Sequence, residues 1–344
     1  MISRASRVCS LRTDSPPSQF TPLFRAVLSQ RLSLSGHGSC KRPSADSEHL
    51  HRWRTSPSRC HKSVRRSVLA GTRTATLNPI DTEGTSIMKL VIIGGTGLIG
   101  SKLVARLREH GHEAVPASPD TGVNTLTGQG LAEVLQGASV VVDVSNSPSF
   151  EAAAVMQFFT TSTRNLLKCS AGAGVRHYVA LSVVGTERIP DSGYLRAKNA
   201  QETLIKGAGI PYSIVHATQF FEFIKRIADE ATVGTTVRLP HVLIQPMAAD
   251  DVAKAVGRIA VGAPLNGTVE VAGPQQFRFD ELIRKGLGAR NDPREVVVDP
   301  HARYFGAELG ERSLIPAGDA RLGEIRFEVW LNQSVRVAAA ATGR

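Results

Sequence analysis

The sequence predicts an open α/β fold, a doubly wound parallel sheet with helices on both faces and a smaller lobe after it. Three observations carry this. Short β-rich apolar runs, among them Lys89–Ile93, 139–144 and 177–182, alternate with helical patterns. These runs are apolar without alternation, as strands buried on both faces are. A glycine-rich turn, Gly94-Gly95-Thr96-Gly97-Leu98-Ile99-Gly100, stands between the first run and the first helix.

Charge narrows the classes of partner. The chain has 344 residues, with 41 Lys+Arg against 30 Asp+Glu and a formal net charge of +11. Residues 1–87 hold 14 of the basic and 5 of the acidic residues, which leaves 27 against 25 for residues 88–344. The body is thus near neutral and carries no basic recognition helix, so nucleic acid is not the expected partner. No apolar run reaches the roughly 18 residues that span a bilayer, and no membrane partner is expected. Cys9, Cys40 and Cys60 lack metal-ligand spacing, so no metal site is expected. Cys169 stands alone in the body and suits a reducing compartment; the expected location is the cytoplasm.

Residues 1–87 contain 16 serines and keep neither the strand nor the helix period. They offer too little apolar surface to offset chain entropy, so disorder is expected there. Arg4, Arg7, Arg12, Arg25 and Arg31, with few acids, fit an organellar transit peptide, which would change the location. A nucleic-acid arm would want more aromatic residues than Phe20, Phe24 and Trp53. The favoured expectation is a protein proper that starts at Met88, directly before the first strand.

From Met88 the elements follow in order. Lys89–Ile93 is the first strand, and Leu103, Val104 and Leu107 recur at helical spacing in the helix ended by Gly111. Gly94, Gly97 and Gly100 lie between the two. In such a turn the first glycine permits the tight bend and the second lets a pyrophosphate approach the backbone. The third lets helix and strand pack closely, with the helix N-terminus toward the anion.

GGTGLIG in this setting resembles the extended and atypical short-chain dehydrogenase/reductase superfamily, in particular its NmrA-like NAD(P)-binding branch, over residues 88–335. The resemblance implies a Rossmann-type domain with a small C-terminal substrate-side lobe, and a flexible tail at 336–344. It implies a dinucleotide held by Gly94, Thr96, Gly97, Leu98, Ile99 and Gly100. The second strand, Glu113–Ala117, ends at Ser118-Pro119-Asp120. An acidic residue at this tip suits the ribose 2′-hydroxyl of NAD, and an arginine the 2′-phosphate of NADP. Ser118 can accept a phosphate, whereas Asp120 lies beyond a proline, so NADP is expected ahead of NAD.

A short helix at 128–137 leads to the strand 139–144. Val144, Ser145 and Asn146 follow at a carboxyl end of the sheet, where ligands bind, and are expected to border the cofactor. Asp143 interrupts the apolar run, as a structural carboxylate or a functional one. A long helix over 150–171 and the strand His177–Ser182 come next.

Tyr194 and Lys198 are four apart on one helical face, twelve residues after Ser182. Hydride transfer to a carbonyl leaves an alkoxide that needs a proton near neutral pH. A tyrosine can supply it when a nearby ammonium lowers its pKa, and a serine can orient the carbonyl. Ser182, Tyr194 and Lys198 resemble the superfamily's catalytic triad, with Lys198 also expected at the nicotinamide ribose. In the NmrA-like branch the Lys and the Glu four residues later recur, here Lys198 and Glu202, and several members are cofactor sensors.

His216-Ala217 replaces the Arg-Pro pair that usually ends the family's next strand, and His216 is read as structural ahead of a site donor. Phe220, Phe221 and Phe223 are read as core, with an apolar pocket as the alternative. Asp250 is expected to cap a helix. His301, Arg303 and Tyr304 form a polar–aromatic cluster placed toward the substrate. The function these readings give is NAD(P)H-dependent reduction of a small carbonyl, quinone or similar acceptor by a chain able to form a homodimer. The alternative is a non-catalytic NAD(P) redox sensor that acts through a protein partner.

Overall fold

The structure, a computed structural model, describes residues 87–341. The expectations of disorder, transit function and an internal start for residues 1–87 fall almost wholly outside those residues. The described chain runs β1 (Lys89–Ile93), α1 (Leu98–Glu109), β2 (Glu113–Ala117), α2 (Leu131–Leu135), β3 (Val140–Asp143), α3 (Ala152–Gly172), β4 (His177–Val183), α4 (Gly193–Lys206) and β5 (Tyr212–Ala217). It continues through α5 (Ile224–Glu230), β6 (Thr232–Val233), β7 (Thr236–Leu239), β8 (Leu243–Ile244), α6 (Ala249–Val261), β9 (Gly267–Ala272), β10 (Phe277–Arg278) and α7 (Phe279–Gly288). The last elements are β11 (Glu295–Val298), β12 (Arg303–Tyr304), β13 (Ala307–Glu308), β14 (Arg321–Leu322) and α8 (Phe327–Ala341).

Seven strands form one sheet in the order β14-β9-β5-β4-β3-β1-β2, and every neighbouring pair is parallel. The period of two along β1 explains the two faces. Leu90 and Ile92 pack with Leu103 and Leu107 of α1 and Val252 and Val256 of α6. Val91 and Ile93 pack on the opposite side with Leu131, Leu166 and Tyr178. Burial of each such side chain stabilises the fold by about 1.5–3 kcal/mol. The chain goes from β1 outward to β2, then crosses to β3 on the other side of β1. Strand order reverses there, and the crevice beyond the carboxyl ends of β1 and β3 is the expected ligand position of an open α/β sheet.

The C-terminal lobe has its own core, in which Phe221, Ile224, Phe279, Ile283, Phe327 and Trp330 meet. Phe327 and Trp330 anchor α8, which runs on to Ala341, past the boundary at 335 that the sequence suggested. A second expectation also changes. Asp250 does not cap α6; it pairs with Lys102 of α1 at 3.0 Å, while the carboxylate of Glu222 accepts from Ala249 N at 3.1 Å. Asp250 lies inside the first turn, so its side chain points outward to the neighbouring helix, and the cap comes from a distant loop. Among the described residues no helix is long and apolar enough to cross a membrane, and no group of three or more His, Cys, Asp or Glu could hold a metal ion.

Candidate functional site

One cavity of about 600 Å³ opens at the strand-order reversal, and it begins at the glycine turn. Gly94 has φ 77°, and a Cβ there would lie 2.9 Å from the backbone of Ser145. Only glycine therefore lets β1 turn this close to the end of β3. Gly100 does not line the cavity: its Cα packs against the turn, where a Cβ would come within 2.1 Å of the Gly94 carbonyl oxygen. Gly97 caps α1 without any side-chain hydrogen bond, and the first turn of α1 carries no acidic residue. The first amides of the helix are thus left without a side-chain cap, beside a cavity wall formed by Gly94, Thr96, Gly97, Leu98 and Ile99.

At the tip of β2, Thr96 Oγ1 lies 3.1 Å from Ser118 Oγ and 3.2 Å from Asp120 Oδ2. Ser118 lines the cavity, as do Val144, Ser145 and Asn146. The buried carboxylate of Asp143 holds that second loop. Its Oδ1 accepts from Ser145 N and Oγ, and its Oδ2 from Gln201 Nε2 at 3.0 Å and Tyr178 Oη at 3.3 Å. Both oxygens are used, which is the structural reading of Asp143.

Ser182, Tyr194 and Lys198 all line the other end of the cavity, but each is bonded differently from the expectation. The Tyr194 hydroxyl donates to Asn146 Oδ1 at 3.1 Å. Burial pushes its pKa well above the usual phenol value, and Arg226 is the charge that opposes the rise. Lys198 directs its hydrogen bonds elsewhere. Its Nζ donates to the Leu181 carbonyl at 2.9 Å and to Gln201 Oε1 at 2.5 Å, 4.3 Å from the Phe159 ring centroid. Burial lowers the Lys198 pKa to about 8 against the attraction of Asp143 and Glu202. Two of its three N–H bonds are committed, and one remains for a ligand.

Ser182 departs furthest from its expected role as carbonyl orienter. Alternation along β4 turns it toward α4, where its only proton goes to the fully buried Glu202 at 2.6 Å. His216 Nε2 meets the same Glu202 oxygen at 2.8 Å, and His216 does not line the cavity, so the structural reading of His216 applies. Burial alone would raise the Glu202 pKa, but His216, Ser182 and Lys206 together hold it below the ordinary value.

The comparisons with known proteins bear on the fold. No family model matches the chain. The photosystem II assembly factor Ycf39 of Synechocystis is 22% identical over 217 residues, which is 57% of this chain and 66% of that protein. The chain spans less than two thirds of the length of the assembly factors of this name that it matches. A dTDP-glucose 4,6-dehydratase from Streptomyces venezuelae, solved with NAD, superposes with a TM-score of 0.58 at 17% identity over 74% of this chain and 98% of that one. A short-chain dehydrogenase/reductase superfamily protein from Agrobacterium tumefaciens, solved with NAD, gives 0.55 at 18% identity over 74% of this chain and all of that one, 100%.

The chain shares the Rossmann-type fold of these extended short-chain dehydrogenase/reductase structures. On this fold the C-terminal lobe adds groups to the site that motif reading passed over. Phe305 stacks on Tyr194 at 5.1 Å and on Phe150 at 5.3 Å between ring centroids. Arg226 lies over Phe150 at 4.1 Å and pairs with Glu230 at 2.9 Å. Of the cluster at 301–304 only Tyr304 reaches this cavity; the His301 side chain is 82% exposed, and Arg303 lines a second hollow behind the Phe150–Phe305–Tyr194 stack. Phe220 and Phe223 line the cavity, whereas Phe221 is core. The one sequence signal for Phe305 was the Phe305-Gly306 pair, which forms the β12–β13 turn with Phe305 at φ 49°.

Proposed function

We propose that this chain is a dinucleotide-dependent oxidoreductase that reduces a small carbonyl- or quinone-type acceptor. The observation that carries the reading is the continuity of the cavity, from the uncapped amides of α1 to Tyr194, Lys198 and the apolar space beyond them. The turn at Gly94–Gly97 fits a pyrophosphate: Gly94 and Gly100 let the β3 loop and α1 close up on the turn, and the uncapped helix N-terminus favours an anion. Val144, Ser145 and Asn146 would border the middle of the cofactor, and the remaining Lys198 N–H would hold its nicotinamide ribose. When bound, a reduced nicotinamide supplies hydride to the carbonyl carbon of the acceptor.

Tyr194 is the proton donor in this reading. Its hydroxyl is protonated at neutral pH as any phenol is; burial makes it a weaker acid, and Arg226 opposes that. The proton it donates to Asn146 Oδ1 in the hydrogen bond would turn to the acceptor oxygen as charge develops there. We favour NAD over NADP, against the sequence expectation. The group at the β2 tip is the Asp120 carboxylate held by Thr96, and the lining cations, Lys198 and Arg226, belong to the acceptor end. The sensor alternative is not favoured, because the cavity continues past the place of the nicotinamide into space for an acceptor.

The test titrates the full chain with NADH and NADPH, then screens carbonyls and quinones for cofactor oxidation. NADH is expected to bind more tightly. Tyr194→Phe is expected to lower kcat by roughly a hundredfold or more with NADH affinity unchanged. Undiminished turnover in that variant removes the proton-donor assignment.

A further inference from the structure

We infer that the acceptor end is a subsite for an uncharged, planar, oxygen-bearing ring, clamped by aromatic side chains and oriented by Thr218 and Gln219. The inference rests on the oxidoreductase reading and adds to it the class of acceptor. Directly after β5, Thr218 is 1% and Gln219 7% exposed, and both line the cavity. Thr218 Oγ1 and Gln219 Oε1 are buried without any hydrogen-bond partner, while the Gln219 amide lies against the Tyr304 hydroxyl. Of the unpartnered buried side-chain atoms among the described residues, only these two belong to residues that line the cavity. A buried polar group left unpaired is costly, and native structures rarely keep one without a use. Two side by side at the carboxyl edge of the sheet point to a ligand that pairs with them.

The walls define the rest of that ligand. Phe220 and Phe223 stack on each other at 5.3 Å, and Tyr304 and Phe305 meet at 4.5 Å, with Phe305 continuing onto Tyr194. Both aromatic groups line the same cavity of about 600 Å³, which has room for a ring. Flat aromatic walls favour a planar partner in offset or edge contact over a saturated one. Arg226 is already held by Glu230 and by the Phe150 ring, and the one uncommitted Lys198 N–H is assigned to the ribose, so an uncharged acceptor is favoured. Gln219 Oε1 accepts a proton from a ring hydroxyl, and Thr218 can donate to a ring oxygen.

The probe is 2-naphthol, which is redox-inert here and matched by its saturated counterpart, decahydro-2-naphthol. Equilibrium dialysis against the full chain reads both, with and without NAD. The expected result is 2-naphthol bound at least tenfold more tightly than the saturated alcohol. Gln219→Leu and Thr218→Val are expected to weaken 2-naphthol about three- to tenfold each, with the NADH dissociation constant unchanged. Phe223→Leu, at a partly exposed position that tolerates change, is expected to weaken 2-naphthol and leave the saturated alcohol unaffected. Equal binding of the two alcohols overturns the inference, as does a loss of NADH affinity in Thr218→Val or Gln219→Leu that matches the loss of 2-naphthol. Discriminating 2-naphthol binding without NADH binding or oxidation would leave the subsite standing and remove the oxidoreductase reading instead.

Discussion

At its glycine end the cavity is walled largely by backbone: the turn at Gly94–Gly97 and the first amides of α1, with the β3 loop a Cβ's width away. At its acceptor end it is walled by side chains from four separate stretches, carrying Phe150, Tyr194, Gln219 with Phe223, and Phe305. The first end can bind only a group whose shape suits fixed amides, and it has almost no freedom to change. The second can alter its ligand by single substitutions without moving the chain. The fold therefore separates a fixed physical demand, closeness of backbone, from an adjustable one, and each half predicts a different response to mutation.

The largest response is expected at Gly100. A Cβ there would lie 2.1 Å from Gly94 O and 2.7 Å from Gly95 Cα, so Gly100→Ala must push the helix off the turn. Overpacking of this kind costs about 1–3 kcal/mol, and the displaced amides should lower NADH affinity at least a hundredfold. Thermal unfolding and NADH titration check both effects. Wild-type affinity in this variant would break the contrast between the two ends, since the backbone would then be adjustable too.

The same contrast explains what could be read from the sequence. The glycine turn, β1 and α1 are local: the strand run, the φ > 0 position and the helix period all lie within residues 89–111, so spacing sufficed to place them. The parallel sheet, and the loop after β3 as a border of the ligand site, followed from alternation of strands and helices; the strand order did not. Phe305, Thr218 and Gln219 were not legible as site residues, because only tertiary packing brings the β12–β13 turn and the β5 exit to Tyr194. Ser182 was legible as a strand-end serine but not in its facing. Its apolar neighbours Leu181 and Val183 line up on one side of β4, and the buried partner Glu202 sits one helical turn beyond Lys198. Glu222 could not be found as the cap of α6 from local spacing, since it lies far upstream of that helix.

Lys198 sharpens the comparison at intermediate size, since it belongs to the acceptor end yet is as buried as the turn. Its folded pKa of about 8 lies below the ordinary lysine value. The unfolded chain therefore binds more protons between about pH 8 and 10.4, and Lys198 makes stability rise with pH through that window. The charges facing it are Asp143 and Glu202, both of which already oppose the shift. Lys198→Met is expected to remove the rise, a difference on the order of 3 kcal/mol across the window. Urea unfolding at pH 7.5 and pH 9.5 reads it as a change in slope between variant and parent. An identical slope in both proteins would place Lys198 in contact with solvent, as an adjustable wall residue.

Ser182→Ala is the smallest expected effect and the one that divides the two accounts of the acceptor end most cleanly. The Ser182 proton goes to Glu202 at 2.6 Å, so alanine removes one donor from a carboxylate that keeps His216 and Lys206. A hydrogen bond to a charged group contributes about 1.5–3 kcal/mol, and the two remaining donors should hold the loss near the lower figure. The pKa of Glu202 is lowered in the folded state, so its contribution is present above the ordinary glutamate value of about 4.3 and is lost as pH falls through the folded value. Without Ser182 that folded value rises toward the ordinary one, and acid unfolding followed by circular dichroism should begin at higher pH. Turnover should stay within about threefold of the parent, because the proposed subsite orients the acceptor through Thr218 and Gln219. A carbonyl-orienting Ser182 makes the opposite forecast, in which kcat falls a hundredfold or more and acid stability hardly moves. The same variant thus measures whether β4 serves the reacting atoms or the helix behind them.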